Sequence, residues 1–169
     1  MIKMKIIDNF LPEKEFNSIQ SFMMGNLTHE NRIIQPHWWY VNGTAQPDDG
    51  QFHMGHMFYQ PDVGENSKHI HIWNNFMIKV EAKKCMRIKA NMTFKTSEPE
   101  PSIYHTDYED IKTAVFYINT NNGYTEFKNG VIVNSVANRV CIFDSNLKHR
   151  AVSHTEGDNR RIVVNFNYE

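Results

Sequence analysis

The feature that most constrains how this chain can fold is a change of rhythm at Cys85. From there to the end, apolar and polar residues alternate in short runs: CMRIKANMTF, SIYHTD, TAVFYIN, YTEF, VIVNSV, RVCIF, HRAVSH and RRIVVNFNY. A period of two is the mark of strands with one face buried. Turn residues separate the runs, among them TNNG at 120–123, Asn129-Gly130 as a two-residue hairpin turn, VAN near 138 and TEGDN at 155–159. Eight strands at this spacing predict a mainly β (α+β) fold, a sandwich or jelly-roll barrel, which earlier strands around WWYV and QFHMGHMFY extend.

The first half carries a different pattern. PEKEFNSIQSFMM opens with Pro12 at a first-turn position followed by acids, and Phe16, Ile19, Phe22 and Met23 share one face of a helix. SKHIHIWNNFMIKVEAKK is read as a second helix, with Ile70, Trp73, Met77 and Val80 as the stripe that meets a sheet. The two helices are expected to buttress one outer face. At 169 residues, with no repeat and only the short Pro-rich loop SEPEPS, the chain fits one domain spanning residues 1–169.

Bulk properties exclude several classes. A net charge of -1 gives no footprint for nucleic acid or an anionic membrane. The start MIKMKIIDNF is charged every few residues and lacks the apolar core of a signal peptide, and no apolar run could span a bilayer, so a cytoplasmic location is expected. Cys85 and Cys141, each inside an apolar run, read as reduced core thiols.

Nine histidines raise the question of a metal. His69 and His71 fall in the second helix, where residues two apart point roughly 200° from each other. His53 and His56 sit in a strand-like segment and should face opposite sides, as polar structural residues or as the lining of an entrance. His154, in HTE, runs into a turn. His105 and Asp107 differ, because an extended IYHTD presents both to one side, with Tyr104 facing away. Such pairs arise by chance roughly 0.4 times in a chain with this many His and Asp, so a third ligand is required. His149, after a buried strand and a short polar loop, can supply it from a neighbouring strand. Two His and one carboxylate form the facial set of non-haem Fe(II) oxygenases, with open positions for a cosubstrate, whereas zinc favours a closed tetrahedron.

Four stretches, YHTD, AVFYINTNNGYTEF, NRVCIFDSNLKH and RRIVVNFNY, together resemble the 2-oxoglutarate and Fe(II)-dependent dioxygenases, in the small prolyl-hydroxylase-like branch that bacteriophages often encode. The resemblance runs from KIIDNFL to the final strand and implies a double-stranded β-helix (jelly-roll) barrel. It implies Fe(II) held by His105, Asp107 and His149, with 2-oxoglutarate and O2 as cosubstrates and ascorbate as an optional reductant. The reaction it implies converts 2-oxoglutarate to succinate and hydroxylates a small molecule, an amino acid or a peptide; a prolyl side chain is one candidate.

The far carboxylate of 2-oxoglutarate, removed from water, needs a bidentate cation. Arg161 and Arg160 compete for that role. If Arg161 points inward, so do Val163, Asn165 and Asn167, leaving Ile162, Val164 and Phe166 for the helix-covered face. Tyr117 matches the position of a hydroxyl set against the same carboxylate, and Asn91 is a further strand candidate. Trp38, Trp39 and Tyr40, in PHWWYVNGTAQPDDGQ, are either a lid or ordinary core. Two other readings remain open: a cupin-type jelly-roll module that binds metal without catalysis, and a metal-free structural protein.

Overall fold

The computed structural model describes residues 4–62 and 67–169; the first three residues of MIKMKIIDNF lie outside the described range. In chain order the elements are β1 (Lys5–Ile7), α1 (Glu13–Met23), β2 (Leu27–His29), β3 (Arg32–Ile34), β4 (Trp39–Asn42), β5 (Phe52–Tyr59), a 3-10 turn (Ile70–Trp73), α2 (Asn74–Lys79), β6 (Cys85–Phe94), β7 (Lys112–Tyr117), β8 (Tyr124–Phe127), β9 (Ile132–Asn134), β10 (Arg139–Asp144), β11 (His149–Val152) and β12 (Arg160–Tyr168). A seven-stranded antiparallel sheet in the order β1-β10-β7-β12-β6-β5-β4 faces a three-stranded sheet, β11-β8-β9, and β2-β3 forms a separate hairpin. No helix among the described residues is long and apolar enough to cross a membrane.

Alternation along the central strands splits the core into two layers. Ala114, Phe116, Ile162, Val164 and Phe166 point to the helix side and pack with Phe16, Ile19, Phe22, Trp73 and Phe76. Val115, Tyr117, Cys141, Phe143 and Val163 point the other way and meet Phe127 and Val133 of the small sheet. Both faces of the large sheet are therefore covered, which is why RRIVVNFNY is buried over nearly its whole length.

The first helix forms where its pattern predicts, with Phe16, Ile19, Phe22 and Met23 buried and Glu13 and Glu15 in the first turn, where carboxylates complement the helix dipole. Pro12 is its N-cap. The C-terminus closes in a Schellman arrangement: Gly25 N–H donates to Phe22 O at 3.2 Å and Asn26 N–H to Ser21 O at 2.8 Å. Gly25 takes φ +69°, and a Cβ there would meet Gln35 Oε1 at 2.4 Å, so both conformation and space require glycine. Gln20 Nε2 donates to Ile118 O at 2.7 Å and anchors the helix to the end of β7.

The second helix is shorter than the periodicity predicts, a 3-10 turn followed by six α residues. Its anchor is Phe76 rather than the expected stripe alone: the Phe76 ring stacks on Phe166 with centroids 3.8 Å apart. Trp73 is also fully buried and lies edge-on to Phe58, Phe116 and Phe166.

Two other expectations need correction, and three short strands were not foreseen. SIYHTD is not a strand; it makes one isolated bridge, His105 with His149, and Pro101 just before it makes another with Val152. Asn129-Gly130 is not a two-residue turn: Gly130 N–H donates to Phe127 O and Phe127 N–H to Val131 O, both at 2.9 Å, giving a three-residue loop with Gly130 alone at positive φ. The short β1 strand and the β2-β3 hairpin carry almost no buried residues, so no burial pattern announced them.

Candidate active site

The open side of the large sheet and the small sheet enclose a cavity of about 610 Å³. Adjacent strands β6 and β12 build its main wall, with Thr93 beside Arg161, Asn91 beside Val163, Lys89 beside Asn165 and Arg87 beside Asn167. All of these residues except Asn167 line the cavity. The predicted inward set on β12 is thus observed, with Ile162, Val164 and Phe166 on the helix side.

At one end His105, Asp107 and His149 converge, their ligand-capable atoms all within 4.8 Å of one another. The backbone places the two histidines: His105 N–H donates to His149 O and His149 N–H to His105 O, each at 3.0 Å. Directly opposed residues of an antiparallel pair bring their side chains together on one face, and the rings lie 4.7 Å apart. His105 Nδ1 donates to Ile103 O at 3.2 Å and His149 Nδ1 to Leu147 O at 3.0 Å. A carbonyl only accepts, so both protons reside on Nδ1 and each Nε2 presents a lone pair, as a metal ligand must.

Phe127 and Phe143 enclose the His149 ring. Burial lowers the His149 pKa, and the nearby Asp107 charge only partly opposes this, favouring the neutral, ligating form. Asp107 is held from behind: Arg87 Nη2 lies 3.0 Å from its Oδ1, and Asn167 Nδ2 donates to its Oδ2 at 3.3 Å. Burial works against ionisation of this carboxyl, but Arg87, His149, His105 and the Asn167 hydrogen bond together outweigh it and hold the pKa below the usual range.

At the other end stands Arg161, 2% exposed. Its Nε donates to Ser135 Oγ at 2.7 Å and its guanidinium lies 5.8 Å from the centre of the Tyr117 ring. Nη2 is buried without a hydrogen-bond partner, and no carboxylate among the described residues pairs with it. A buried charge left in this state costs several kcal/mol unless an anion arrives. Arg160 is settled differently: it grips Asp158 through Nε at 2.9 Å and Nη2 at 3.1 Å, and donates from Nη1 to Met24 O at 2.7 Å. Strand alternation turns it away from the cavity, so the competing candidate does not face the ligand space.

Tyr117 is fully buried, and its hydroxyl donates to Thr125 Oγ1 at 2.8 Å. Thr125, not Tyr117, forms the cavity wall, so the tyrosine reaches it through one intermediary. Burial pushes the Tyr117 hydroxyl well above its ordinary pKa, which keeps it a neutral donor. Asn91 lines the cavity, and its Oδ1 is buried and unpartnered, as are Thr93 Oγ1 and Asn165 Oδ1. Gly123 is a sterically required neighbour: a Cβ there would lie 2.9 Å from Arg161 Cδ and 3.0 Å from Val152 O.

The remaining histidines have separate roles. His53 and His56 face opposite sides as expected: His53 lines the cavity, while His56 Nε2 lies 3.0 Å from Ser67 Oγ and its ring 4.4 Å from that of Phe58. His69 packs on Phe22, and His154 Nε2 bonds Asp158 O at 2.8 Å. Tyr104 faces away from His105 and lies under Arg150, 4.3 Å from ring centre to guanidinium carbon. Trp39 and Tyr40 are each 63% exposed at the sheet edge, whereas Trp38 packs partly into the core. Burial raises both cysteine pKa values, to about 11 for Cys85 and about 12 for Cys141, so neither thiol is poised to react.

Sequence reasoning missed Arg87, Lys89, Thr125 and Ser135. For the first two the signal was present: in CMRIKANMTF, Arg87, Lys89, Asn91 and Thr93 share one face of a strand whose other face is Ile88, Ala90 and Met92. Cations on a central strand need a reason. Thr125 and Ser135 become visible only when the small sheet is folded over the large one.

No protein-family model matches the sequence, and no curated protein shows significant sequence similarity. Solved structures do match. A 2OG-Fe(II) oxygenase family oxidoreductase from Burkholderia pseudomallei superposes with a TM-score of 0.66 at 11% identity, over 98% of this chain and 84% of that one. A Trichoplax adhaerens prolyl hydroxylase, bound to a hypoxia-inducible-factor peptide fragment, gives 0.64 at 12% identity over 98% and 83%. A non-haem α-ketoglutarate-dependent carbocyclase of nogalamycin biosynthesis gives 0.59 at 13% over 98% and 78%. The chain therefore has the fold of the 2OG-Fe(II) oxygenases, prolyl hydroxylases among them.

Proposed function

We propose that the protein is a non-haem Fe(II) and 2-oxoglutarate-dependent dioxygenase, a single domain over residues 1–169 whose two sheets form a double-stranded β-helix. One observation carries this reading: a His-Asp-His cluster and a buried arginine without a carboxylate partner among the described residues occupy opposite ends of one cavity. The first is a ligand set for a divalent metal, and the second a waiting partner for an anion. A diacid chelating at one end and ion-paired at the other satisfies both. A metal-binding module without catalysis would have no use for an unpaired guanidinium in its core, which sets the cupin-type reading aside.

In this arrangement His105 Nε2, Asp107 and His149 Nε2 hold Fe(II), and Arg161 receives the far carboxylate of 2-oxoglutarate. Tyr117 and Ser135 orient the receiving end, through Thr125 and through Arg161 Nε respectively. Asn91 offers its amide to the ligand space between. Bound iron would supply O2 activation, with oxidative decarboxylation of 2-oxoglutarate to succinate coupled to hydroxylation of a substrate. The chain's own contribution is placement and dryness. Arg87 and Asn167 fix the Asp107 carboxylate, Phe127 and Phe143 enclose His149, and the cavity walls keep water from the reacting atoms. No protein nucleophile or acid-base pair is required.

One matching structure is a complex with a peptide fragment and another comes from nogalamycin biosynthesis, which supports either a peptide or a small molecule as the substrate. The reaction is placed in the cytoplasm, of a phage-infected host if the chain is phage-encoded. The test is anaerobic addition of Fe(II) and 2-oxoglutarate to purified protein, expected to develop the visible charge-transfer band of the chelated cosubstrate. In air, with ascorbate present, slow succinate formation should follow. Absence of the band in the wild-type protein, or its persistence in His149→Ala, would overturn the assignment.

A further inference from the structure

Arg161 is not the only cation in the cavity wall without a carboxylate. Lys89 projects from β6 into the same space, and no carboxylate among the described residues lies within ion-pair distance of its Nζ. Its hydrogen-bond partner among the described residues is His53 Nε2 at 3.2 Å. His53 in turn donates from Nδ1 to Gly43 O at 2.9 Å, so Nε2 bears a lone pair and accepts from the ammonium. Burial, then the Lys89 charge, depress the His53 pKa to about 4, so the ring stays neutral and keeps that role. The lysine stem crosses Gly55, where a Cβ would lie 3.4 Å from Lys89 Cε and 3.2 Å from Val41 Cγ2. The ammonium is thus aimed by a neighbour strand and by a glycine that makes room for it.

Charge balance points the same way. Arg87, Lys89, Lys95 and Arg161 line the cavity against only Asp107 and Glu100. A divalent metal and a doubly charged cosubstrate cancel each other, so the loaded cavity keeps its positive excess, and a low-dielectric cleft concentrates that field. Along the wall Lys89 lies between Asn165 and Met57, four residues from Thr93, the residue that pairs with Arg161.

We propose that Lys89, aimed by His53, is a specificity residue that binds a carboxylate of the substrate, so that the enzyme acts on a small carboxylic acid such as a free amino acid. A single ammonium makes one charge-assisted hydrogen bond, which is enough to hold a carboxylate. This rests on the dioxygenase reading for what happens after binding, but the binding itself does not require it.

The probes are the free protein amino acids and their carboxamides, titrated by calorimetry into the metal-free protein and into the anaerobic Fe(II)·2-oxoglutarate complex. At least one acid should bind about tenfold or more tightly than its amide, as expected when a charge-assisted contact is lost. Lys89→Met should erase that preference while leaving the 2-oxoglutarate titration of the visible band within threefold of wild type. Lys89→Arg, which retains the charge, should keep most of the preference and controls for misfolding. If no acid outbinds its amide, or Lys89→Met retains the preference, the proposal fails. A large loss of 2-oxoglutarate affinity in Lys89→Met would assign the lysine to the cosubstrate and overturn it equally. Failure of the dioxygenase reading is separate, because it appears as a missing band in the wild type whatever the acid and amide titrations give.

Discussion

Replacing Arg161 by methionine separates two consequences of a buried guanidinium. In the free protein Arg161 is 2% exposed, bonded to Ser135 and unpaired at Nη2. Methionine forfeits the charge-assisted bond, worth about 1.5–3 kcal/mol, and relieves the burial of an uncompensated charge, a penalty of several kcal/mol. The two are of similar size and opposite sign. The metal-free variant should therefore stay within about 2 kcal/mol of wild type, or about 4–8 °C in Tm for a chain of this length. Cosubstrate binding has no such compensation, because the far carboxylate would be buried without a partner at a cost of about 3–5 kcal/mol. At about 1.4 kcal/mol per decade, affinity for 2-oxoglutarate should fall by about two to three and a half decades. Anaerobic titration of the Fe(II)-loaded variant, followed by the visible band, measures this, and circular dichroism gives the Tm. Arg160→Ala serves as control and should change the titration less than threefold, since its guanidinium is bound to Asp158 and Met24. Near-wild-type binding in Arg161→Met, or the loss appearing in Arg160→Ala instead, would refute the reasoning.

Gly123→Ala should weaken 2-oxoglutarate binding about tenfold or more by driving a methyl into Arg161 Cδ, with retained Fe(II) binding as the contrast; unchanged cosubstrate affinity would show that the arginine can give way. Phe76→Ala removes the ring stacked on Phe166 and should cost about 3–5 kcal/mol in chemical denaturation; a loss below about 1 kcal/mol would mean that α2 is not a structural clamp. Asp49 organises the cavity mouth by accepting the N–H groups of Thr44 and Ala45 at 2.9 Å and of Gln51 at 3.1 Å. Burial disfavours its ionised form, but these bonds outweigh that and depress its pKa. Its stabilising effect is therefore complete above the ordinary carboxylate pKa of about 3.9 and fades only as pH falls through the lower folded value. Hydrogen exchange should find the Thr44, Ala45 and Gln51 amides protected at about pH 4, and unprotected in Asp49→Asn at every pH; loss of wild-type protection near pH 5 would contradict this.

The strands were legible because their burial is one-sided and local. YTEF and RRIVVNFNY match β8 and β12 residue for residue, and the alternation of RRIVVNFNY grouped Arg161 with Val163, Asn165 and Asn167 on one face while leaving Arg160 as its competitor. The convergence of His105, Asp107 and His149 was legible because a His-x-Asp pair needs one further partner and His149 sat at the start of a strand, although the pair itself is not in a strand. Where burial is absent or shared, the reading failed. Exposed β1, β2 and β3 left no pattern, and the second helix is shorter than its apolar stripe, whose Met77 and Val80 are only partly buried.

What the sequence determined by itself is the period of two and hence which side chains share a strand face. Which of them meet was decided only by the tertiary structure. The reciprocal backbone bonds between His105 and His149, Arg87 behind Asp107, Tyr117 acting through Thr125, and the ammonium of Lys89 against His53 all join residues distant along the chain. Side-chain direction follows from local backbone geometry and can be read along one strand, whereas proximity between strands depends on the register and packing that the whole core selects at once.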